Sequence, residues 1–175
     1  MKDMADLPDR GFSVQSAPET GTGRDGFELQ ALLAEAFCGR PPEWALAISG
    51  TLADYVRLAP GWDSYDGKPL RRDTADYAMR LLCEAMSDCT PLPSLVPLSC
   101  GGVQCEWHEN AMDLELYIAG PCECELAVRD GLGSEVCEIK PGGELESLKE
   151  QLRCLVDAGH QRLMARSCAG TRADR

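Results

Sequence analysis

Hydrophobic residues recur every three to four positions in four segments of the chain, a spacing that predicts four helices. These segments cover residues 27–37, 43–58 and 72–87, and a stretch that begins near residue 144. Gly50 weakens the middle of the second helix. The predicted buried stripes of the first three helices are Phe27, Leu29, Leu32, Leu33, Ala36 and Phe37; Leu46, Leu52, Tyr55 and Val56; and Ala75, Ala78, Met79, Leu82 and Met86.

Between the third and fourth helices, apolar and polar residues alternate, which is typical of strands that bury one face. A further strand is predicted over residues 135–140, and the proline-punctuated segment 89–97 is extended. The pattern predicts an α+β fold with N-terminal helices, an antiparallel β-meander of four to five strands and a C-terminal amphipathic helix. The expected buried face comprises Val103, Cys105, Trp107, Leu114, Leu116, Ile118, Cys122, Cys124, Leu126 and Val128.

Two turns set the register of this meander, because each side chain must stay on its own face of the sheet. The first is a two-residue turn at Asn110-Ala111, and the second is an odd-numbered loop at Gly120-Pro121-Cys122. This register predicts four pairs of polar residues on neighbouring strands. They are Glu106 and Glu115, His108 and Asp113, Asp113 and Arg129, and, with the last strand, Glu125 and Glu138.

The domain organisation follows from composition and periodicity. Residues 1–26 are rich in proline, glycine and serine without periodicity, so we expect them to be disordered. Residues 27–166 are predicted to form a single α+β domain, Gly159 is predicted to end the clean part of the last helix, and residues 167–175 are expected to fray. The 3-4 spacing of Leu145, Leu148, Leu152 and Leu155 predicts packing on the chain's own sheet or on a second copy.

Charge is distributed very unevenly along the chain. The chain has 29 acidic and 17 basic residues, a net charge of −12. Residues 101–139 hold nine acidic residues and one basic residue, whereas residues 149–175 hold six basic and three acidic ones. An acidic body repels nucleic acid, so we do not expect direct nucleic-acid binding, and a basic protein is the better-matched partner.

Most of these carboxylates occupy every second position, so one face of the sheet is expected to carry them. Like charges that lie opposite each other destabilise a sheet unless something offsets them. The face is interpreted as a solvated surface, as a docking surface for a basic protein, or as a divalent-cation site. The docking surface would comprise Glu106, His108, Asp113, Glu115, Tyr117, Glu123 and Glu125, with Trp62 and Tyr65 at its edge.

Catalytic and metal motifs are scarce. Cysteines near the predicted strands lack the Cys-x-x-Cys spacing of zinc knuckles, so we expect Cys105, Cys122 and Cys124 to fill the core as reduced thiols, with zinc or a disulfide as alternatives. His108 beside Asp113 allows acid–base chemistry or a plain surface pair. The sequence has no nucleophile elbow, phosphate loop or dinucleotide fingerprint, so we predict no catalytic residue, cofactor or resident metal.

An aromatic loop, Trp62-Asp63-Ser64-Tyr65-Asp66-Gly67-Lys68-Pro69, precedes the third helix. Together with Gly101-Gly102-Val103-Gln104-Cys105-Glu106-Trp107 it resembles a family of small bacterial and mobile-element proteins. That family carries a Trp-Asp-x-Tyr-Gly-Ala-x-Pro loop followed by a Gly-Gly-x-x-x-Glu-Trp acidic hairpin. The resemblance covers residues 61–128, departs from the pattern at Asp66 and Gly67, and implies a role in bacterial conflict without implying an activity. Trp62 either caps the core or recognises a partner.

These patterns favour a non-enzymatic protein-binding module, such as an antitoxin-like, immunity or phage-encoded inhibitor that occupies a basic site on its partner. One alternative is a metal-dependent hydrolase or nuclease that uses Glu106, His108, Asp113 and Glu115. The other is a structural homo-oligomer formed through Leu145, Leu148, Leu152 and Leu155. We expect a cytoplasmic protein, because no apolar run suits a membrane span and residues 1–6 contain no apolar signal core.

Overall fold

The computed structural model describes residues 25–130, 135–139 and 144–170. Its five strands form one antiparallel sheet in the order β1-β2-β3-β4-β5. The predicted α+β class, with N-terminal helices, a meander and a C-terminal helix, is confirmed. The elements in chain order are α1 (Asp25–Phe37), α2 (Glu43–Val56), α3 (Arg72–Ala85), β1 (Ser94–Pro97), β2 (Val103–Glu109), β3 (Met112–Gly120), β4 (Glu123–Asp130), β5 (Glu135–Ile139) and α4 (Glu144–Gly170).

The turn between β2 and β3 uses two residues in the left-handed conformation. Asn110 has φ 56° and Ala111 has φ 59°, the geometry of the two-residue hairpin turn that matches the natural twist of a sheet. The turn has the register that was predicted for it. The confirmed opposite pairs are Cys105 and Leu116, Glu106 and Glu115, Trp107 and Leu114, and His108 and Asp113.

The connection between β3 and β4 keeps side chains on their faces by means of a bulge. Ile118 pairs with Cys124 and Gly120 pairs with Glu123, so Ala119 is the extra residue on β3. Cys122, with φ 61°, lies in the turn and is exposed, which corrects its predicted place in the core. The backbone there must reverse direction, so its side chain leaves the buried face.

The sheet register beyond this turn agrees with the prediction only on one side of β4. Asp113 lies opposite Arg129 as predicted. The predicted pairing of Glu125 with Glu138 is wrong, because Glu138 lies opposite Ala127. The register of this strand pair also shifts by one residue between Val128 and Arg129, which lies opposite Glu135. The predicted cross-strand repulsion between these two glutamates is therefore not a direct one.

The core lies between the helices and one face of the sheet. All five predicted positions of α3 are buried, whereas Leu46 on α2 is 47% exposed. Leu52 is buried as predicted, and Tyr55 and Val56 pack against the core, but Ala45 and Ile48 complete the buried stripe of α2 in place of Leu46. The sheet buries Val103, Cys105, Trp107, Leu114, Leu116, Ile118, Cys124, Leu126 and Val128.

Helix α4 continues to Gly170, so Gly159, which was predicted to end the clean part of this helix, does not interrupt it. Residues 167–170 belong to this helix, where the sequence predicts a frayed tail. The leucines of the seam, Leu148, Leu152 and Leu155, are buried in the chain's own core, and Leu145 is packed against it. This apolar surface is already covered within one copy, so the seam offers no exposed leucine face for the homo-oligomer that was considered as an alternative.

Of the segment 1–26 that was predicted to be disordered, residues 1–24 lie outside the described residues, and Asp25 and Gly26 begin α1. The connections at 131–134 and 140–143 and the tail at 171–175 also lie outside the described residues. Within the described part of the chain, no helix is both long and apolar enough to cross a membrane.

Candidate functional site

The outer face of the sheet is the surface that the helices leave uncovered. Side chains of one parity are buried along β2 and β3, and side chains of the other parity are exposed or half-buried. The structure brings six of the seven predicted sheet residues to this outer face, and it places Glu123 beside them at the β3–β4 turn. Those six are Glu106, His108, Asp113, Glu115, Tyr117 and Glu125.

Glu106 lies within a small polar network on this face. Its Oε1 accepts a hydrogen bond of 2.8 Å from Gln104 Nε2, and its Oε2 lies 3.4 Å from His108 Nε2. The other ring nitrogen of His108, Nδ1, lies 2.9 Å from Asp113 Oδ1. The hydrogen bond to Asp113 is the main cause that raises the pKa of His108 above its usual value, and Glu106 adds to it.

Glu115 has a separate set of partners. Tyr117 donates its hydroxyl to Glu115 Oε2 over 2.7 Å, and Arg129 NH1 donates to Oε1 over 3.2 Å. The Glu115 side chain is only 17% exposed, and that of Glu106 is 23% exposed. Glu106 and Glu115, which lie opposite each other, thus each have their own hydrogen-bond partners on the outer face. The expected repulsion is offset inside the molecule, and by itself it does not call for an external cation.

The geometry around His108 bears on acid–base chemistry. Both ring nitrogens contact carboxylates, so neither nitrogen is open to a substrate proton in this arrangement. Among the described residues, no group of three or more histidine, cysteine, aspartate or glutamate side chains has the arrangement of a metal site. In this arrangement the ring of His108 is held between the carboxylates of Asp113 and Glu106.

A groove of about 470 Å³ lies at the end of the outer face where β3 turns into β4. Glu123 and Glu125 are its acidic members and Tyr117 its aromatic one. Sequence reasoning identified these three but missed Leu98 and Ala119, because the bulge and the β1–β2 connection bring them there. The groove is lined by Leu98, Tyr117, Ala119, Cys122, Glu123, Cys124 and Glu125.

The loop of Trp62 and Tyr65 is held together by Asp63. Asp63 Oδ1 accepts hydrogen bonds from the backbone amides of Tyr65 (2.9 Å) and Gly67 (3.0 Å). Trp62 Nε1 donates to the carbonyl of Lys68 over 3.1 Å. Trp62 is half-buried but does not join the core cluster formed by the described residues, so it supports the loop more than it caps the core. Tyr65 is 84% exposed.

This loop is fastened to the end of the sheet that carries the groove. The amide of Lys68 donates to the carbonyl of Ser99 over 2.9 Å, one residue from Leu98 in the groove wall. Arg71 NH2 donates to the carbonyl of Ala119 over 3.0 Å, which holds the bulge. The sequence signal for these contacts is weak, because they join segments far apart along the chain.

The positions of the cysteines bear on whether they fill the core, bind zinc or form a disulfide. The eight cysteines whose side chains the structure describes are free thiols, and Cys105 and Cys124 are buried as predicted. Burial raises the pKa of Cys105 to about 12, which keeps this thiol protonated and inert.

Comparison of the chain with protein-family models gives no match, and comparisons with curated proteins and with solved structures also give none.

Proposed function

We propose that this chain is a non-enzymatic, cytoplasmic protein-binding module whose acidic outer face occupies a basic site on another protein. The observation that carries the proposal is the outer face of β2, β3 and β4, where the described residues present the carboxylates of Glu106, Asp113, Glu115 and Glu125, with Glu123 at the adjoining turn, against the guanidinium of Arg129. An antitoxin-like, immunity or phage-encoded inhibitor acts in this way, by covering a positively charged surface that its target needs. The basic partner would itself be a nucleic-acid-binding protein.

The fixed orientation of Glu106, Asp113 and Glu115 supports this proposal. Gln104, His108 and Tyr117 hold the acidic side chains by hydrogen bonds, so less side-chain entropy is lost when a partner binds. A rigid array of one sign also steers a basic partner and discriminates against acidic ones. Salt screens such contacts, so affinity is expected to fall steeply with ionic strength.

The loop of Trp62 and Tyr65 extends this surface in the proposal. Aromatic side chains with few rotatable bonds are frequent anchors in interfaces, and the Asp63 hydrogen bonds order this loop in advance. The 84% exposed ring of Tyr65 then contributes apolar contact beside the charged face.

The test is capture of partners from the host of this protein, at low and at high salt, with matched charge variants. Glu106→Gln with Asp113→Asn removes two charges from the outer face. Glu35→Gln with Glu84→Gln removes two exposed charges from α1 and α3 and serves as the control. We expect a stoichiometric basic partner that high salt releases, with affinity about tenfold lower for the face variant only. Equal binding by both variants would overturn the proposal.

The same preparations separate this function from a metal-dependent enzyme. A cation that binds the native state raises its melting temperature. We expect millimolar Mg²⁺ or Mn²⁺ to leave the melting temperature of the chain unchanged. A clear upward shift that Glu106→Gln abolishes would favour the metal-dependent hydrolase instead.

A further inference from the structure

The groove at the β3–β4 turn combines two properties that the rest of the outer face lacks together. Leu98, Ala119 and the ring of Tyr117 make its walls mostly apolar, while Glu123 and Glu125 are exposed carboxylates. Its volume, about 470 Å³, lies in the range of specific small-ligand pockets, so it admits more than one side chain.

Glu125 differs from the other outer-face glutamates in its surroundings. Glu106 and Glu115 are satisfied by Gln104, His108, Tyr117 and Arg129, as described above. Glu125 makes no hydrogen bond or ion pair with any described residue. It lies opposite Tyr117 in the ladder, so a carboxylate that no described residue neutralises adjoins an aromatic ring.

We propose that this groove is the specificity pocket of the interaction face and that it receives an arginine side chain of the basic partner. The inference rests on the proposed function and names the chemistry that the partner must present. The guanidinium would pair with Glu125 and Glu123, and its aliphatic stem would lie along Leu98 and Ala119.

Charge complementarity and ring geometry both favour arginine in this position. A planar guanidinium binds a carboxylate through two parallel hydrogen bonds and stacks on an aromatic face, which a lysine ammonium does less well. The hydroxyl of Tyr117 is already used by Glu115, so the ring faces are what remain for the ligand. A purely apolar side chain would leave Glu125 close to a dry surface, which costs free energy.

The experiment is an NMR titration of the ¹⁵N-labelled full chain with the peptide acetyl-Leu-Arg-Leu-amide. The same peptide with citrulline keeps the shape of arginine without its charge, and the lysine peptide keeps the charge without the planar group. We expect saturable shifts confined to the amides of Tyr117, Ala119 and residues 122–125. We also expect the citrulline and lysine peptides to bind about two- to fivefold more weakly.

Variants assign the binding to particular atoms. Glu125→Gln should weaken the arginine peptide about two- to fivefold, whereas Glu109→Gln, an exposed carboxylate on the opposite parity of β2, should not. Tyr117→Leu removes the ring and should bind more weakly than Tyr117→Phe, which keeps it. Equal affinity for the arginine and citrulline peptides, or shifts outside the groove, would overturn the proposal, as would unchanged binding by Glu125→Gln.

The outcome is independent of partner capture, because the peptide replaces the partner. If the titration fails but a partner is still captured through Glu106 and Asp113, the proposal of an arginine pocket is overturned and the proposed function stands. If the titration succeeds but no partner is captured through Glu106 and Asp113, the proposal of an arginine pocket stands and the proposed docking role of the wider outer face is overturned.

Discussion

Asn110 packs directly against Gly159. The Nδ2 of Asn110 donates to the carbonyl of Leu155 over 3.1 Å, and a Cβ added to Gly159 would lie only 2.8 Å from that nitrogen. Gly159, which the sequence suggests as the end of the clean part of this helix, is instead the point where the β2–β3 turn contacts an unbroken helix. A side chain at this position would displace the amide group of Asn110 from its hydrogen bond with Leu155.

Gly159→Ala should therefore lack the usual benefit of this change. Within a helix, glycine to alanine typically adds about 0.5–1 kcal/mol of stability. Here the new methyl group should displace Asn110 and weaken one hydrogen bond, at a cost of about 1 kcal/mol. Gly50→Ala is the control, because nothing lies within 4 Å of its added Cβ. Urea unfolding should show Gly50→Ala as the more stable variant; equal gains would contradict the close packing.

Gly67→Ala should disrupt the aromatic loop. The added Cβ would lie 2.6 Å from the carboxylate of Asp63, which accepts the loop's two backbone hydrogen bonds. We expect a loss of about 1–3 kcal/mol in the free energy of unfolding. Gly39→Ala serves as the comparison, because its nearest atom would lie at an ordinary 3.7 Å. Unaltered stability of Gly67→Ala would show that the loop accommodates the alanine of the pattern that it resembles.

The His108 network predicts a pH dependence of stability. Asp113 and Glu106 raise the folded-state pKa of His108 above the unfolded value of about 6.5. The stabilisation is complete below that value and is lost as pH rises through the folded pKa. The loss should stay below about 1 kcal/mol, because the side chain is 51% exposed and water screens the pair. Denaturant titrations from pH 6 to 8.5 should show this decline in the wild type and a smaller one in His108→Gln.

Cysteine reactivity should follow burial. Burial raises the pKa of Cys105 to about 12. Burial is also the main cause that raises the pKa of Cys83 to about 11; nearby Arg80 lowers this pKa and Glu84 raises it. Thiolate is the reactive form, so both should resist iodoacetamide in the native state. Exposed Cys122 and Cys89 should be labelled first, as mass spectrometry of proteolytic peptides would show. Equally rapid labelling of Cys105 and Cys122 would place Cys105 outside the core.

The hairpin of β2 and β3 shows how much the sequence alone determined. Period-two alternation assigns each side chain to a face, and a two-residue turn leaves one register that keeps the faces aligned. The opposition of Glu106 to Glu115 and of His108 to Asp113 followed from these local rules. The buried stripe of α3 followed in the same way from helical spacing, because a face with apolar residues at every turn has one way to be buried.

Tertiary structure decided the features that depend on contacts between distant segments. The bulge at Ala119 and the contact with Leu98 create the groove, and neither has a local signature. The partners of Glu106 and Glu115 depend on where side chains of neighbouring strands reach, which alternation does not specify. Gly159 was ambiguous for the same reason: its effect on α4 depends on Asn110, which lies 49 positions earlier in the chain. Local periodicity thus set the elements and faces, and long-range packing set the shape and charge of the surface.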